Sequence, residues 1–302
     1  MTEDLLSLFL ADLRLRRMAT GTIEGNSLRV RAFLSWCAKS SVEPLQATRK
    51  DFLAYLQVLQ ERGHKSSTLR KDFSALSSFY ELMEEQGNSS SARDIVAIRK
   101  KYLRTYKPDA EERQIISIDQ AAEMVAGTID TRDRAILLLL LKTGIRRGEL
   151  ASLDVSDVSL EGLSITLKPT AKRSNRSVFF DEEAADALRR WLKARARRAG
   201  NDPALFLAET GRRLSGRSLN NVVVRAAARV GLHTKGAPLE ERFGPHCCRH
   251  WLVTHLLRAG MSREYVKWIR GDAMRESIDL YYHIDPEDVK RSYLSFVPRL
   301  GV

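Results

Sequence analysis

Cysteines and long apolar runs are scarce in this sequence, and each shortage excludes a class of protein. The 302 residues include 3 cysteines, too few for a disulfide framework and typical of a reducing cytosol. The longest aliphatic run has 6 residues, at 136–141, whereas a helix needs about 20 to cross a bilayer. Glu3 and Asp4 give the amino terminus the wrong charge for a secretory signal. We therefore expect a cytoplasmic protein without a membrane span.

Motifs for metal and nucleotide cofactors are also missing. No spacing of cysteine and histidine is typical of a zinc site, and no G-x-x-x-x-G-K-[ST] motif could hold ATP phosphates. A carboxylate cluster of the kind that binds two magnesium ions is absent too. The sequence therefore predicts neither a metal nor a cofactor.

Acidic residues are outnumbered by basic ones. The chain has 50 Lys+Arg against 38 Asp+Glu, a net charge of +12. An excess of this size attracts polyanions, with nucleic acid as the first candidate and an anionic membrane surface as the second. A basic protein without such a partner is the remaining alternative, because charge alone does not decide.

Helical periodicity dominates the chain, and one polar stretch divides it. The segment 99–114 is charged and contains Pro108, so we predict a domain at 1–104, a linker at 105–114 and a second domain at 115–302. Ser117 or Asp119 is the candidate cap for the first helix of the second domain, and Thr131 is the candidate cap for the next. Apolar residues alternate with polar ones around Ile165 and again around Val178, which predicts a β-hairpin. The expected fold is mainly α with one small antiparallel sheet.

Two arginines stand where they could bind a phosphate. Arg146 follows a helix that ends at Gly144, and Glu149 is three residues further on, where an ion pair could brace it. Arg249 lies three residues after His246 at the start of another predicted helix, so both share one face of a turn whose free N–H groups favour an anion. A surface charge is the ordinary interpretation of the first arginine. For the second motif a metal site is a weak alternative, because Cys247 and Cys248 fall on other faces.

The predicted hairpin and the carboxyl-terminal tyrosines complete the candidate chemistry. Four basic side chains occur in the nine residues 168–176, namely Lys168, Lys172, Arg173 and Arg176. Most such turns are merely solvated, but this one could enter a DNA groove and give a lysine that protonates a leaving group. Tyr281 and Tyr282 would ordinarily pack; a tyrosine nucleophile needs neighbouring cations or a base, since its free pKa is about 10.

These motifs, in this order, resemble those of the tyrosine recombinase (phage integrase, Xer-like) family over nearly the whole chain. Residues 143–150 resemble the family's first arginine box, 246–249 its H-x-x-R box, and Tyr281 with His283 its nucleophile box. Segments 21–36 and 65–80 are similar to helices of its DNA-clamping domain. The resemblance implies a four-helix SAM-like clamp followed by a mostly helical catalytic domain.

The resemblance also implies an activity and the residues that perform it. The activity would be site-specific recombination of duplex DNA through a 3′-phosphotyrosine, without metal or ATP, for integration or excision of a mobile element or for dimer resolution. Arg146 and Arg249 would grip the scissile phosphate, and His246 would orient it and serve acid–base work. Tyr281 would attack phosphorus, with Tyr282 as the runner-up. Lys172 would protonate the 5′-oxygen, with Lys168 as its competitor.

One position departs from the family pattern. The family usually has His or Trp nine residues before the tyrosine, where this chain has Asp272. An ionised carboxylate cannot donate a hydrogen bond to phosphate, so we expect Asp272 to hold a neighbouring cation, with His250 as a possible substitute. The departure motivates one alternative, a DNA-binding accessory protein without catalysis. A type IB topoisomerase is a further alternative.

The resemblance implies double-stranded DNA and further copies of this chain as partners. Lys65, Arg70 and Lys71 are the expected backbone contacts of the first domain, joined by the basic residues of the hairpin. The family forms a tetramer in which a carboxyl-terminal segment packs on a neighbour. Residues 285–302 are the candidate for that exchange, and packing on their own domain is the alternative.

Overall fold

The structure is a computed structural model that describes residues 2–89, 91–104, 114–169, 175–198, 200–271 and 284–302. Its contacts divide the chain into two units, Met1–Ala110 and Glu111–Val302. The finer bounds expected from the sequence, with a linker at 105–114, stay a prediction. Lys172, Arg173, Asp272, Tyr281, Tyr282 and His283 lie outside the described residues.

The first unit is made of helices. They are α1 (Thr2–Leu15), α2 (Thr20–Lys39), α3 (Arg49–Glu61), α4 (Ser66–Glu85) and α5 (Ala92–Ile98), with a 3₁₀ turn at Pro44–Gln46 and a π-helical turn at Arg99–Leu103. Aromatic rings fill the space between three of these helices. Phe33 stacks on Phe52 with ring centroids 5.8 Å apart, and Phe52 meets Tyr80 edge to face at 5.1 Å. Tyr80 belongs to α4, so this core supports the helix that carries Arg70 and Lys71.

The second unit contains eight helices among its described residues. They are α6 (Ile118–Ala126), α7 (Thr131–Thr143), α8 (Arg147–Ser152), α9 (Glu182–Ala196), α10 (Gly216–Arg229), α11 (Pro245–Arg258), α12 (Arg263–Arg270) and α13 (Pro286–Phe296), with 3₁₀ turns at Val155–Asp157 and Leu239–Glu241.

A three-stranded antiparallel sheet lies between α8 and α9. It contains β1 (Val158–Ser159), β2 (Ser164–Thr166) and β3 (Ser177–Phe179) in that order. Ile165 pairs with Val178, and both are fully buried, as the alternating pattern predicts. The sequence did not predict β1, because two residues are too few to show a period of two.

Helix α7 is the centre of the second unit. Every residue from Ala135 to Thr143 is buried, and α7 packs against α9 and α11. A helix that is apolar on all sides must be enclosed by others. The predicted cap Thr131 is wrong by one residue, since the Asp130 carboxylate accepts from the Asp133 amide at 2.9 Å. Asp accepts this bond as well as Thr does and stands where the backbone is still extended.

The architecture confirms the predicted fold class of mainly α structure with one small antiparallel sheet. Among the described residues, no helix combines the length and apolarity that a membrane crossing requires.

Candidate active site

Gly144 joins the first arginine motif to helix α11. It ends α7 with a positive φ of 60°, a left-handed conformation that glycine adopts without strain. A Cβ at this position would lie 3.1 Å from Leu252 Cδ2 and 3.8 Å from Arg249 Cα. The close approach brings residues 144–146 directly beside the turn that carries Arg249.

Arg146 is oriented by Glu149 through both its backbone and its side chain. The Arg146 amide donates to Glu149 Oε2 at 2.7 Å, and its Nη1 donates to Oε1 at 3.0 Å. The ion pair expected from the three-residue spacing is thus present, with the glutamate side chain 5% exposed and the arginine 35% exposed. A half-exposed guanidinium fixed by a buried carboxylate is arranged to meet an anion from solution.

Arg249 is buried and held by two backbone carbonyls. Its Nη1 donates to Gly144 O at 2.8 Å and its Nη2 to Arg270 O at 2.5 Å. These two bonds, each from a different Nη atom, fix the plane of the guanidinium group. Arg249 also connects the end of α7 with the end of α12, which directly precedes the segment containing Asp272 and Tyr281.

Two histidines lie side by side on the first turns of α11. His246 and His250 are four residues apart, with their Nε2 atoms 3.2 Å apart and their rings edge to face. In such a pair, one Nε2 carries a hydrogen and donates a hydrogen bond to the other Nε2, which is the acceptor. Pro245 at the first helical position and Gly244 before it set where this helix begins.

Arg146, His246 and Arg249 line one pocket of about 370 Å³. The structure therefore brings together three of the predicted catalytic side chains from two motifs a hundred residues apart, with Glu149 supporting one of them. The sequence reasoning did not single out four other polar residues that line the same pocket, which are Arg147, Asn220, His233 and Arg242. Arg147 belongs to the first arginine motif, and Arg242 precedes His246 by four residues, but residues 220 and 233 carry no local signal.

Lys168 is engaged at the base of the hairpin. Its ammonium lies 2.6 Å from Asp154 Oδ2, and Arg213 binds the other oxygen of the same carboxylate. The hydrogen bonds from Lys168 and Arg213 hold the pKa of Asp154 below its ordinary value. Lys168 is not among the residues that line the pocket.

Arg176 directly precedes β3, the returning strand of the hairpin. It is exposed and its Nε donates to Leu167 O at 3.2 Å, so its side chain lies along the hairpin rather than in the pocket. The other basic residues of the turn, Lys172 and Arg173, are outside the described residues, as are Asp272 and the tyrosines.

The cysteines are packing residues. Cys37, Cys247 and Cys248 are buried and unpaired, and burial together with the neighbouring thiol raises the pKa of Cys248. A thiol whose pKa is raised is a poor metal ligand and nucleophile. Among the described residues, no group of three His, Cys, Asp or Glu side chains could hold a metal ion.

The predicted DNA contacts of the first unit lie at the start of α4. Lys65 precedes the helix and Lys71 is on its second turn, and both are exposed, while Arg70 is half-buried. Behind them the buried Asp72 lies 3.2 Å from Arg29 Nε. Desolvation raises the pKa of Asp72, although Arg29 opposes the shift.

The carboxyl-terminal segment packs on its own unit. Val289 and Tyr293 of α13 are fully buried, and the Tyr293 hydroxyl donates to Lys142 O at 2.7 Å. The fully buried Lys142 ammonium binds Asp181, Glu183 and the Pro298 carbonyl. Glu183 in turn accepts from the amides of residues 300 and 301. Residues 285–302 were expected to pack either on a neighbouring copy or on their own domain, and in this single chain they pack on their own domain.

Comparisons with known proteins match both parts of the chain to one family. The model of the phage integrase family matches residues 108–288, and that of the phage integrase N-terminal SAM-like domain matches residues 5–87. The tyrosine recombinase XerC of Pelotomaculum thermopropionicum is 30% identical over 86% of this chain and 84% of its own.

Two solved structures share the fold. The Tn1549 transposon integrase in complex with transposon right-end DNA has a TM-score of 0.67 and 19% identity, covering 96% of this chain and 98% of that one. A lambda integrase tetramer bound to a Holliday junction has a TM-score of 0.67 and 15% identity, covering 93% of this chain and 77% of that one.

Proposed function

The chain belongs to the phage integrase family of tyrosine recombinases, and we propose that it cuts and rejoins duplex DNA at a specific site through a 3′-phosphotyrosine at Tyr281. The single observation that carries the proposal is the shared pocket of Arg146, His246 and Arg249. Paired guanidinium groups suit a phosphodiester because each can give two parallel hydrogen bonds to its oxygens.

The two arginines would stabilise the transition state more than the ground state. Attack on phosphorus adds negative charge to the non-bridging oxygens, and preorganised donors aimed at that charge are worth about 2.7–4 kcal/mol each in comparable sites. Glu149 fixes Arg146, and two carbonyls fix Arg249, so neither side chain must reorganise during the reaction. The proposed chemistry therefore needs no metal and no cofactor.

In the proposed reaction the Tyr281 hydroxyl gives its proton to His246 as its oxygen forms a bond to phosphorus, while the bond from phosphorus to the 5′-oxygen breaks. Lys172 gives its proton to that 5′-oxygen, which leaves as a hydroxyl. The competing Lys168 is less suitable, because its ammonium is bound to Asp154. In the second half a 5′-hydroxyl of another strand attacks the phosphotyrosine and returns a proton to Lys172, while His246 returns the other proton to the departing Tyr281 oxygen. The energy of the broken bond is kept in the ester, so ATP is not required.

His246 would hold a non-bridging oxygen and take part in proton transfer, with His250 supporting its ring at 3.2 Å. For Asp272 we propose a positioning role, in which the carboxylate holds a nearby cation. The pair of histidines then supplies the donor that the family usually draws from His or Trp at the position of Asp272.

Binding would use both units and several copies of the chain. We propose that Lys65, Arg70 and Lys71 bind the DNA backbone from one unit and Arg173 and Arg176 from the other, in the cytoplasm. Recombination of two duplexes needs four active sites, so a tetramer on DNA is part of the proposal. Exchange of residues 285–302 between copies would first require Glu183 to release the amides of residues 300 and 301.

The test is formation of a covalent adduct with nicked suicide duplexes made from genomic fragments that the protein retains. Wild-type protein is expected to form an adduct that resists denaturation and is removed by protease. Tyr281→Phe should form none, whereas Tyr282→Phe is the matched control and should keep it. An adduct that persists in Tyr281→Phe would assign the nucleophile elsewhere.

Two further outcomes separate the alternatives. Tight binding without an adduct in any variant would identify an accessory DNA-binding protein, and relaxation of supercoiled DNA lacking the site would identify a topoisomerase. Sequencing the DNA attached to Tyr281 in cells distinguishes the two biological uses. Attachment at the borders of a mobile element indicates integration or excision, and attachment at one chromosomal locus indicates dimer resolution.

A further inference from the structure

The pocket that contains the two predicted phosphate-binding arginines is more basic than one phosphate requires. Its described lining includes four arginines, at 146, 147, 242 and 249, together with His233 and His246. None of the lining residues that the structure describes carries a carboxylate. A volume of about 370 Å³ falls within the ~300–1,000 Å³ of pockets that hold whole small molecules. Charge and space therefore exceed the needs of a single phosphodiester group.

Arg242 is held in place by its backbone. Its amide donates to Leu239 O at 3.2 Å in the 3₁₀ turn, and its carbonyl accepts from Cys247 Sγ at 3.6 Å on α11. The next residue, Phe243, is buried. The arginine is thus carried by a short segment anchored at both sides, which reduces the entropy lost when it binds a ligand.

The side chain of Arg242 has an unmet hydrogen-bonding requirement. Its Nε is buried and has no partner among the described residues, and a buried donor without an acceptor costs about 1–3 kcal/mol. The three other arginines of the pocket do not share this feature. Arg242 lines the pocket, and a rotation of its side chain that brings Nε to the pocket surface would let an entering acceptor satisfy this donor.

Asn220 supplies further donors, and His233 supplies one when its ring is protonated. His233 Nδ1 lies 2.9 Å from Phe243 O, so it donates to that carbonyl and leaves Nε2 for another partner. In the protonated ring Nε2 is also a donor. Asn220 on α10 lines the same pocket and carries two amide donors.

We propose that Arg242, His233 and Asn220 form a second phosphate subsite that holds the phosphodiester next to the scissile one on the same strand. The inference rests on the proposed function, because the first phosphate is the one bound by Arg146 and Arg249. Phosphates of one strand follow each other every ~3.4 Å along the helix axis, so a neighbour must lie close to the first. Two points of attachment fix the direction of the strand, which a single phosphate cannot do.

The test measures binding of small phosphate compounds by titration calorimetry at low ionic strength. Thymidine 3′,5′-bisphosphate presents two phosphates separated by one deoxyribose, as in a strand. Thymidine 5′-diphosphate also has two phosphates, but they are joined directly to each other, and thymidine 5′-monophosphate has one phosphate. We expect the 3′,5′-bisphosphate to bind wild type at least about tenfold more tightly than the other two, the gain of one charge-assisted hydrogen bond.

Variants assign the second phosphate to its residues. Arg242→Gln should abolish the advantage of the 3′,5′-bisphosphate and leave the monophosphate affinity unchanged. Asn220→Asp keeps the side-chain volume, and its carboxylate should abolish the advantage of the 3′,5′-bisphosphate by repelling the second phosphate. This variant provides the test if Arg242→Gln does not fold. Arg190→Gln, an exposed arginine of α9 outside the pocket, is the matched control and should change nothing.

Several results would overturn the subsite. The first is equal affinity of wild type for the three compounds, and the second is no measurable binding of the 3′,5′-bisphosphate. The third is a loss of affinity in Arg242→Gln that is the same for all three compounds. The measurement contains no strand cleavage, so its failure is distinct from failure of the proposed function. A missing phosphotyrosine adduct would overturn the latter even if the 3′,5′-bisphosphate were preferred.

Discussion

Gly144 is the residue on which the geometry of the two arginines most directly depends. Its Gly144→Ala variant should lose about 1–3 kcal/mol of unfolding free energy, because alanine is strained at positive φ and its Cβ would lie 3.1 Å from Leu252 Cδ2. Urea denaturation measures the loss. Gly148→Ala is the control, since a Cβ there meets nothing within 4 Å and alanine is favoured inside a helix. Equal stability of the two variants would contradict the account of this turn.

The two lysines of the hairpin should differ sharply in their effect on cleavage. Lys172→Ala is expected to slow adduct formation by about 10²–10⁴, the contribution of a general acid. Lys168→Ala should change the rate by no more than about fivefold, because it breaks a half-exposed pair with Asp154 that is worth about 0.2–1 kcal/mol. Single-turnover rates at saturating DNA separate a slower cleavage step from weaker DNA binding. The reverse order would make Lys168 the acid.

Among the elements, the carboxyl-terminal segment is attached through a group whose charge depends on pH. Burial alone would raise the pKa of Glu183, but the bonds from Lys142 and from the amides of residues 300 and 301 lower it below the ordinary 4.5. The ionised carboxylate therefore contributes stability that is fully present above pH 4.5 and is lost as the pH falls through the lower folded-state value.

We expect Glu183→Gln to be less stable than wild type by about 1.5–3 kcal/mol at neutral pH, with the difference shrinking as the pH falls below 4.5. Thermal or urea unfolding as a function of pH measures it. Glu182→Gln is the matched control, because Glu182 is 67% exposed and pairs only at the surface with Arg189. A Glu183→Gln difference that does not change with pH would show that the carboxylate is not ionised in the folded state.

Helix ends show how far local sequence determines an element. Ser117 was a predicted cap and accepts from the Gln120 amide at 3.0 Å, since a serine before a helical pattern has this role by itself. The cap of α7 was predicted one residue too late, because Asp130 and Thr131 are adjacent and either side chain can accept a hydrogen bond from a helix amide. The strand β1 was missed because its two residues, Val158 and Ser159, are too few to show an alternating pattern.

For the whole molecule, the net charge of +12 predicts a steep dependence of DNA affinity on salt. A protein that contacts about 6–10 phosphates loses about 10³–10⁵ in affinity between 50 and 200 mM salt. Fluorescence anisotropy of a labelled duplex measures the slope. Lys71→Gln should reduce the slope by about one contact, and Arg190→Gln should leave it unchanged. A flat salt dependence would exclude the proposed backbone binding.

The sequence by itself determined the class of fold, the order of the motifs and the pairing of Glu149 with Arg146, because helical periods and three-residue spacings are local properties of a chain. Only the tertiary structure brought Arg146 and Arg249 into one pocket, since this depends on α7 packing against α11 and on the absence of a side chain at Gly144. The same holds for Asn220 and His233, whose place in the pocket no local pattern could indicate. The attachment of the last residues to Lys142 and Glu183 was likewise decided by folding, because it joins groups more than a hundred residues apart.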